Sequence, residues 1–226
     1  LLFNGLKSEK LKRIYRGVLQ STQKSSRFSF SFEEGAGGVL PRSFFERHTL
    51  EVARDLLGKY LVCGECVGAI IETEAYRQQD DESCHAYGGK QTQRNTTMFK
   101  AGGHLYVYRI HQVFCMNIVT EEEGLGCAVL IRAVKPLEGF SIMRNRRGEK
   151  YADDQLTNGP GKLCQAFGID RQLDGLDLTT PESPLRIEER GLQYASHQIV
   201  TTSRIGISKA IDLPWRFVVR AFVVGA

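Results

Sequence analysis

Two apolar runs, Tyr60–Cys63 and Val67–Tyr76, stand on either side of the two turn residues Gly64-Glu65, and no other feature restricts the fold of this chain as strongly. Strand-length runs rich in β-branched and aromatic residues, separated by so short a turn, pair as an antiparallel hairpin. Further strand-length runs occur at Leu105–Tyr108, Val113–Val119, Cys127–Val134, Gln198–Ser203 and Phe217–Val224. Helical spacing is confined to three segments. In Thr49–Gly58, Thr49 is the expected cap and Leu50, Ala53, Leu56 and Leu57 share a face; the others are Leu137–Arg146 and Gly161–Phe167. Strands outnumber helices, which predicts a mixed α/β (α+β) fold, a single domain with a largely antiparallel, curved β-sheet flanked by helices. A domain of this size buries about 70% of its extended surface and needs neither disulfide nor metal to fold. No apolar run approaches the ~18 residues of a membrane span.

The net charge of +4 has a location. Residues 1–38 carry seven cationic residues against three anionic ones, so the rest of the chain is neutral overall. This segment combines helically spaced Leu11, Ile14, Tyr15, Val18 and Leu19 with a Ser-rich stretch and the linker Gly35-Ala36-Gly37-Gly38. It is expected to be a basic, disordered tail ahead of a domain at 39–226. Its composition suits an idle tail, a DNA-clinging arm or an organellar transit peptide alike. A chain that begins at Leu1 also suits a fragment or a processed form. The six cysteines form no dense framework, which favours a reducing compartment. Cys63-Gly64-Glu65-Cys66 is a lone pair without a second pair at zinc spacing, so no metal site is expected.

Chemistry concentrates in two places. In Glu72-Thr73-Glu74-Ala75-Tyr76, strand alternation puts both carboxylates and the tyrosine on one face. Carboxylates following a buried apolar strand are costly unless that face opens onto a cleft, where one can act as general base for a water. A solvated edge strand is the competing explanation. Between Glu82 and Glu121 there is no acidic residue, whereas Lys90, Arg94, Lys100, Arg109, His85, His104 and His111 alternate with Tyr87, Phe99, Tyr106, Tyr108 and Phe114. Cations for phosphates and aromatics for stacking suit splayed nucleobases. The aromatics also suit a plain core, although a core does not explain the missing acids.

Together these segments resemble the alkyladenine (3-methyladenine, methylpurine) DNA glycosylase family. The resemblance runs from about Pro41 to Arg220 through nine blocks in the family's order. They begin with Ala53–Gly58, Glu72–Tyr76, His85 leading into Gly88–Asn95, and Met98-Phe99. Leu105–Tyr108, Cys115–Asn117, Leu130–Ala133, Pro136–Gly139 and Gly159–Ala166 complete them. The resemblance implies an enzyme that flips a damaged purine (3-methyladenine, 7-methylguanine, hypoxanthine, ethenoadenine class) out of double-stranded DNA. It then hydrolyses the N-glycosidic bond and leaves an abasic site, without metal or cofactor. By position, Glu74 resembles the base that activates water and Arg132 the residue that helps hold water and carboxylate. Tyr76, His85 and Tyr108 resemble the stacking walls, and Asn117 and Leu130 line the pocket; Arg94 and Lys162 are expected DNA contacts. The resemblance carries an expectation of a monomer located wherever the DNA is, nucleus or bacterial nucleoid, with organellar targeting by the tail open.

The chain departs from the family pattern in three places. The loop from Tyr108 to Asn117 is one residue shorter, so the position that plugs the gap left by the flipped base falls at His111, with Gln112 next. The Cys63–Cys66 turn abbreviates a longer hairpin, and the C-terminal Ala221–Ala226 differs from the family's ending. Two rivals accompany the enzyme reading: a catalytically silent nucleic-acid-binding module, and a lyase that uses Lys162 as a Schiff-base amine.

Overall fold

The structure, a computed structural model, describes residues 38–223. The basic tail expected at 1–38 lies outside the described residues except for Gly38, as do Val224, Gly225 and Ala226. Nine strands form one curled, half-barrel antiparallel sheet, and the described residues add four α-helices. The strands are β1 (Gly38–Val39), β2 (Tyr60–Cys63), β3 (Cys66–Tyr76), β4 (Leu105–Ile110), β5 (Val113–Val119), β6 (Ala128–Glu138), β7 (Leu185–Glu189), β8 (Ile199–Thr202) and β9 (Arg216–Val219). The helices are α1 (Arg42–Phe45), α2 (Thr49–Asp55), α3 (Phe140–Arg147) and α4 (Pro160–Phe167). Strand order is β1-β7-β2-β3-β6-β5-β4, and β9 pairs with both β3 and β8. The mixed α/β class with an antiparallel sheet is therefore observed, and the β2–β3 hairpin turns at Gly64-Glu65 with Cys63 opposite Cys66.

β3 organises the molecule. β6 pairs along its length; on its other side β2 covers Cys66–Ala69 and β9 covers Glu72–Glu74. The main core lies between the sheet and the helices, where Val52, Met143, Leu163 and Phe167 meet Ile70, Met116, Ile118 and Ile131. A smaller cluster of Cys84, Ala86, Met98, Tyr106, Val119 and Ala128 lies where the turn-rich excursion after β3 meets the sheet.

Several element boundaries differ from expectation. Thr49 is the first helical residue, not the cap; its amide and hydroxyl donate to Glu121 Oε1, and His48 holds the cap position. The helix expected to start at Leu137 starts at Phe140, because Pro136, Leu137 and Glu138 remain in β6. Gly68 pairs with Pro136 and Val67 with Glu138, so Leu137 is a bulged extra residue beside a proline, where the missing N–H costs no ladder bond. The chain turns only at Gly139, whose φ of +82° needs a glycine. A Cβ there would also stand 2.8 Å from the Glu65 carbonyl oxygen. The last strand ends at Val219 in place of Val224, giving way to a short 3-10 turn at Arg220–Phe222.

Gly126 is tied to the excursion by closeness, since a Cβ there would meet the Ala86 Cβ at 2.4 Å and the Phe99 ring at 3.0 Å. Overpacking of this kind costs ~1–3 kcal/mol. Gly126→Ala is therefore expected to lower the thermal midpoint by roughly 3–10 °C. A melting curve that coincides with wild type would show that the excursion yields freely.

Candidate active site

Strand parity alone would bury the two carboxylates in the core. Cys66 and Ile70 point into the main core, and unbroken alternation would send Glu72 and Glu74 after them. A bulge prevents this. Ile70 pairs with Val134 and Glu72 with Ala133, leaving Ile71 as an extra residue. From there Thr73 and Ala75 take the core side, Thr73 donating to the Ala53 carbonyl at 2.7 Å, and Glu72, Glu74 and Tyr76 take the other. On the facing strand Arg132 is the extra residue, between Ala133 opposite Glu72 and Ile131 opposite Thr73. Bulges re-aim side chains in this way.

Register then assembles one cross-strand row. Tyr106 of β4 opposes Asn117 of β5, Asn117 opposes Leu130 of β6, Leu130 opposes Glu74 of β3, and Glu74 opposes Arg216 of β9. Directly opposed residues share a face, so five residues from distant parts of the chain line up.

Glu74 is fully buried, yet both of its oxygens are bound. Oε1 accepts the Ile205 N–H at 2.8 Å and lies 3.2 Å from Arg132 Nη1; Oε2 accepts the Tyr76 hydroxyl at 2.8 Å. Glu72 Oε1 accepts Arg132 Nε and Arg216 Nε, each at 2.7 Å. Burial opposes the charge of Arg132, but Glu74 and Glu72 outweigh it and raise its pKa. Burial, and then the negative charge of Glu74, push the Tyr76 phenol far above its ordinary value, so Tyr76 keeps its proton and donates a hydrogen bond to the carboxylate.

In front of this cluster lies a cavity of about 470 Å³, within the range of small-ligand sites. Tyr76, His85, Tyr108, Asn117, Leu130 and Arg132 line it together. The His85 ring stands edge-on to Tyr108 with centroids 4.7 Å apart, and its Nδ1 is 3.0 Å from the Tyr106 hydroxyl. Burial, and then the charge of Arg94, lower the His85 pKa, which keeps the imidazole neutral at pH 7. Burial also raises Tyr106 and Tyr108. Asn117 donates its Nδ2 to the Tyr106 carbonyl at 3.2 Å, which orients its amide. Arg94 lines the cavity and lies over the Tyr108 ring at 5.3 Å.

Glu74 itself does not line the cavity; it lies behind Tyr76 and Arg132, held by two hydrogen bonds and one ion pair. The edge-strand explanation of the Glu–Glu alternation fails, since β3 is paired on both sides at Glu72–Glu74. The remaining expected residues lie further out. His111 and Gln112 form the exposed two-residue turn between β4 and β5, and His111 adopts a φ of +51°. Lys162 is exposed on the first turn of α4 and donates to Asn158 Oδ1 at 2.9 Å, outside the cavity lining. The sequence reading passed over Ile205, whose contribution is a backbone N–H, and Arg216, which waits on β9 for Glu72. Among the described residues, no group of three or more His, Cys, Asp or Glu is placed to hold a metal ion. No helix among them is long and apolar enough to cross a membrane.

Residues 43–222 match the family model described as methylpurine-DNA glycosylase. A protein of Alkaliphilus oremlandii named "Putative 3-methyladenine DNA glycosylase" is 46% identical over 196 residues, covering 80% of this chain and 95% of the relative. Proteins of the same name from Methanocella arvoryzae and Agrobacterium fabrum are each 46% identical, over 187 and 179 residues. Both alignments cover 79% of this chain, with 91% and 87% of the relative. An aromatic-walled cavity over a buried carboxylate, on a curled antiparallel sheet, thus occurs in a chain that matches DNA glycosylases over most of its length. The chain belongs to the methylpurine-DNA glycosylase family.

Proposed function

We propose that this protein excises alkylated or deaminated purines from double-stranded DNA by hydrolysing the N-glycosidic bond, using a water activated by Glu74. The observation that carries the reading is the buried Glu74 carboxylate directly behind a cavity walled by Tyr76, His85 and Tyr108. An ionised carboxylate offers about four acceptor positions; Ile205 and Tyr76 hydrogen-bond to two of them, and the ion pair with Arg132 at 3.2 Å covers a third. The remaining one takes a water proton as the water oxygen attacks the sugar C1′ and the base departs with the bonding pair. Arg132 spans both carboxylates and holds Glu74 while the charge moves. A cationic alkylated purine stacks on aromatic faces by cation–π attraction, and neutral lesions rely on polar groups such as Asn117 for discrimination. Duplexes carrying hypoxanthine, ethenoadenine, 3-methyladenine or 7-methylguanine test the reading by base release. Release of none of the four would favour the silent binding module.

Lys162 supports hydrolysis over a lyase reaction. Its ammonium is bonded to Asn158 on the surface and is outside the cavity lining, a poor position for attack on the sugar. Incubation with abasic duplex and borohydride is expected to trap no covalent adduct; an adduct lost in Lys162→Ala would overturn this.

The β4–β5 turn is the segment we assign to the gap left by the flipped base. His111 and Gln112 form the exposed tip of this turn, and Val113, 42% exposed, follows them at the cavity edge against Gly161. Histidine tolerates the left-handed region better than most residues, and glycine tolerates it freely. His111→Gly therefore keeps the turn and removes the plug. Loss of one stacking ring is expected to weaken lesion-duplex binding by ~1 kcal/mol, about fivefold, with the thermal midpoint unchanged. Equal affinity in the variant would move the wedge to Gln112 or Val113.

A further inference from the structure

Behind the Glu74 cluster lies an ion pair for which the hydrolysis described above has no use. The side chains of Arg204 and Asp81 are both fully buried. Arg204 Nη1 donates to Asp81 Oδ2 at 2.5 Å and Nη2 to Oδ1 at 2.7 Å; Nη1 also reaches the Ala75 carbonyl at 2.9 Å, and Nη2 the Ala210 carbonyl at 3.3 Å. The guanidinium carbon is 4.6 Å from the Tyr76 ring centroid and 5.3 Å from that of Trp215. One side chain thus joins the end of β3, the excursion that follows it, the Ala210 turn and the entry to β9. Burying two charges costs several kcal/mol per ion, and well-packed apolar residues often serve stability as well or better. The location of the pair relative to Glu74 gives it another use.

Both hydrogen-bond donors to Glu74 are mounted on Arg204. Ile205, the next residue, gives its N–H to Oε1, and Tyr76, whose ring lies against the guanidinium, gives its hydroxyl to Oε2. The other ties of the segment that carries Ile205 lie further along it: Ser83 Oγ donates to the Lys209 carbonyl, Lys209 pairs with Glu82, and Leu213 packs partly buried on the core. From Ser203 to Pro214, Arg204 is the only buried residue, and Ile205 itself is 50% exposed. Without this anchor, the Ile205 amide loses the one buried side chain adjacent to it that keeps it within hydrogen-bond reach of the carboxylate.

We infer that Arg204, clamped by Asp81, is a positioning residue for the Glu74 carboxylate, acting through the Ile205 amide and the Tyr76 hydroxyl. The inference rests on the reading of Glu74 as the base. Arg204 touches no substrate in this scheme; it sets where the carboxylate points. Its planar fork is required, since an ammonium cannot hold Asp81 bidentately and reach Ala75 as well.

The test compares single-turnover base release with lesion-duplex affinity in Arg204→Met, Arg204→Lys and Asp81→Asn, using whichever of the four duplexes the wild type cleaves fastest. Lys59→Met, which breaks the Lys59–Glu189 pair in another part of the molecule, is the control for loss of a buried cation. Misplacing a reacting group by about an ångström can cost 10²-fold in rate. Both Arg204 variants are expected to release base at least about tenfold more slowly per folded molecule, a loss clearly larger than the loss of affinity that follows from Tyr76 and Ile205 also lining the cavity. Asp81→Asn, the mildest change, should show a smaller loss of rate that again exceeds its loss of affinity, and it serves if the Arg204 variants do not fold. Lys59→Met should lower the melting temperature and leave the rate per folded molecule alone. A wild-type rate in Arg204→Lys would show that charge suffices and overturn the positioning role. So would rate losses that merely track the folded fraction in every variant. Normal release by Glu74→Gln would instead remove the reading beneath the inference, so the two failures are distinguishable.

Discussion

Glu74→Gln is expected to lose base release by about 10³-fold or more while binding lesion duplex close to wild-type strength. The amide matches the carboxylate in shape but cannot take up the proton of an attacking water. Its surroundings accommodate it. The carbonyl oxygen keeps the Ile205 N–H and Arg132, and the Tyr76 hydroxyl rotates to accept from the new NH₂ group. Arg132 keeps its bond to Glu72, a carboxylate it then shares with Arg216, so it is not left without a partner although the cluster gains one positive charge. The cavity walls are unchanged, because Glu74 lines none of them. Single-turnover release and equilibrium binding on the same duplex separate the two effects. Near-normal release in Glu74→Gln would point to Glu72, which lies one strand repeat away on the same face. Glu72 is a weaker candidate for the base, since it is engaged by two arginines and holds Arg132 and Arg216 in place.

What could be read in the sequence, and what could not, divides along physical lines. The β2–β3 hairpin was legible because a two-residue turn leaves the flanking strands one way to pair. Tyr106 and Tyr108 were legible as one face by alternation, and their rings lie 5.6 Å apart. Alternation also grouped Glu72, Glu74 and Tyr76, but it could not show that Ile70 shares their parity and points the opposite way. The bulge at Ile71 that resolves the conflict is a property of pairing with β6. β7 went unread although Leu185 and Ile187 alternate with Arg186 and Glu188; the run is five residues long, and Ser183 and Pro184 precede it. Ile205 gave no signal because any residue but proline could supply that N–H. Arg204 and Asp81 are 123 residues apart, and each alone reads as an ordinary surface charge. The family resemblance supplied Arg132 and Asn117, which no spacing argument singled out; cross-strand register is the physical reason that Asn117 stands near Glu74.

Arg132→Met is expected to be the most destabilising single change at the site. Arg132 is the side-chain cation in hydrogen-bond reach of Glu74, and its fork divides between two carboxylates, Nε on Glu72 and Nη1 on Glu74. Glu72 keeps Arg216 when Arg132 is lost, but Glu74, fully buried, keeps only the Ile205 amide and the Tyr76 hydroxyl. Breaking a buried pair from one side costs ~3–5 kcal/mol, because a charge remains without compensation. The melting temperature should accordingly fall by roughly 6–20 °C. Arg132→Lys keeps the charge but cannot serve both carboxylates, so its stability should lie between those of methionine variant and wild type, with base release still impaired. The decisive comparison is the double variant. If the loss comes from the stranded carboxylate, Glu74→Gln placed on Arg132→Met should raise the melting temperature again, because the amide needs no counter-charge. A purely packing role for Arg132 predicts the reverse: the double variant would melt at or below the temperature of Arg132→Met. Recovery of stability without recovery of activity would therefore establish that Arg132 is retained to keep a charged group buried where the chemistry needs it.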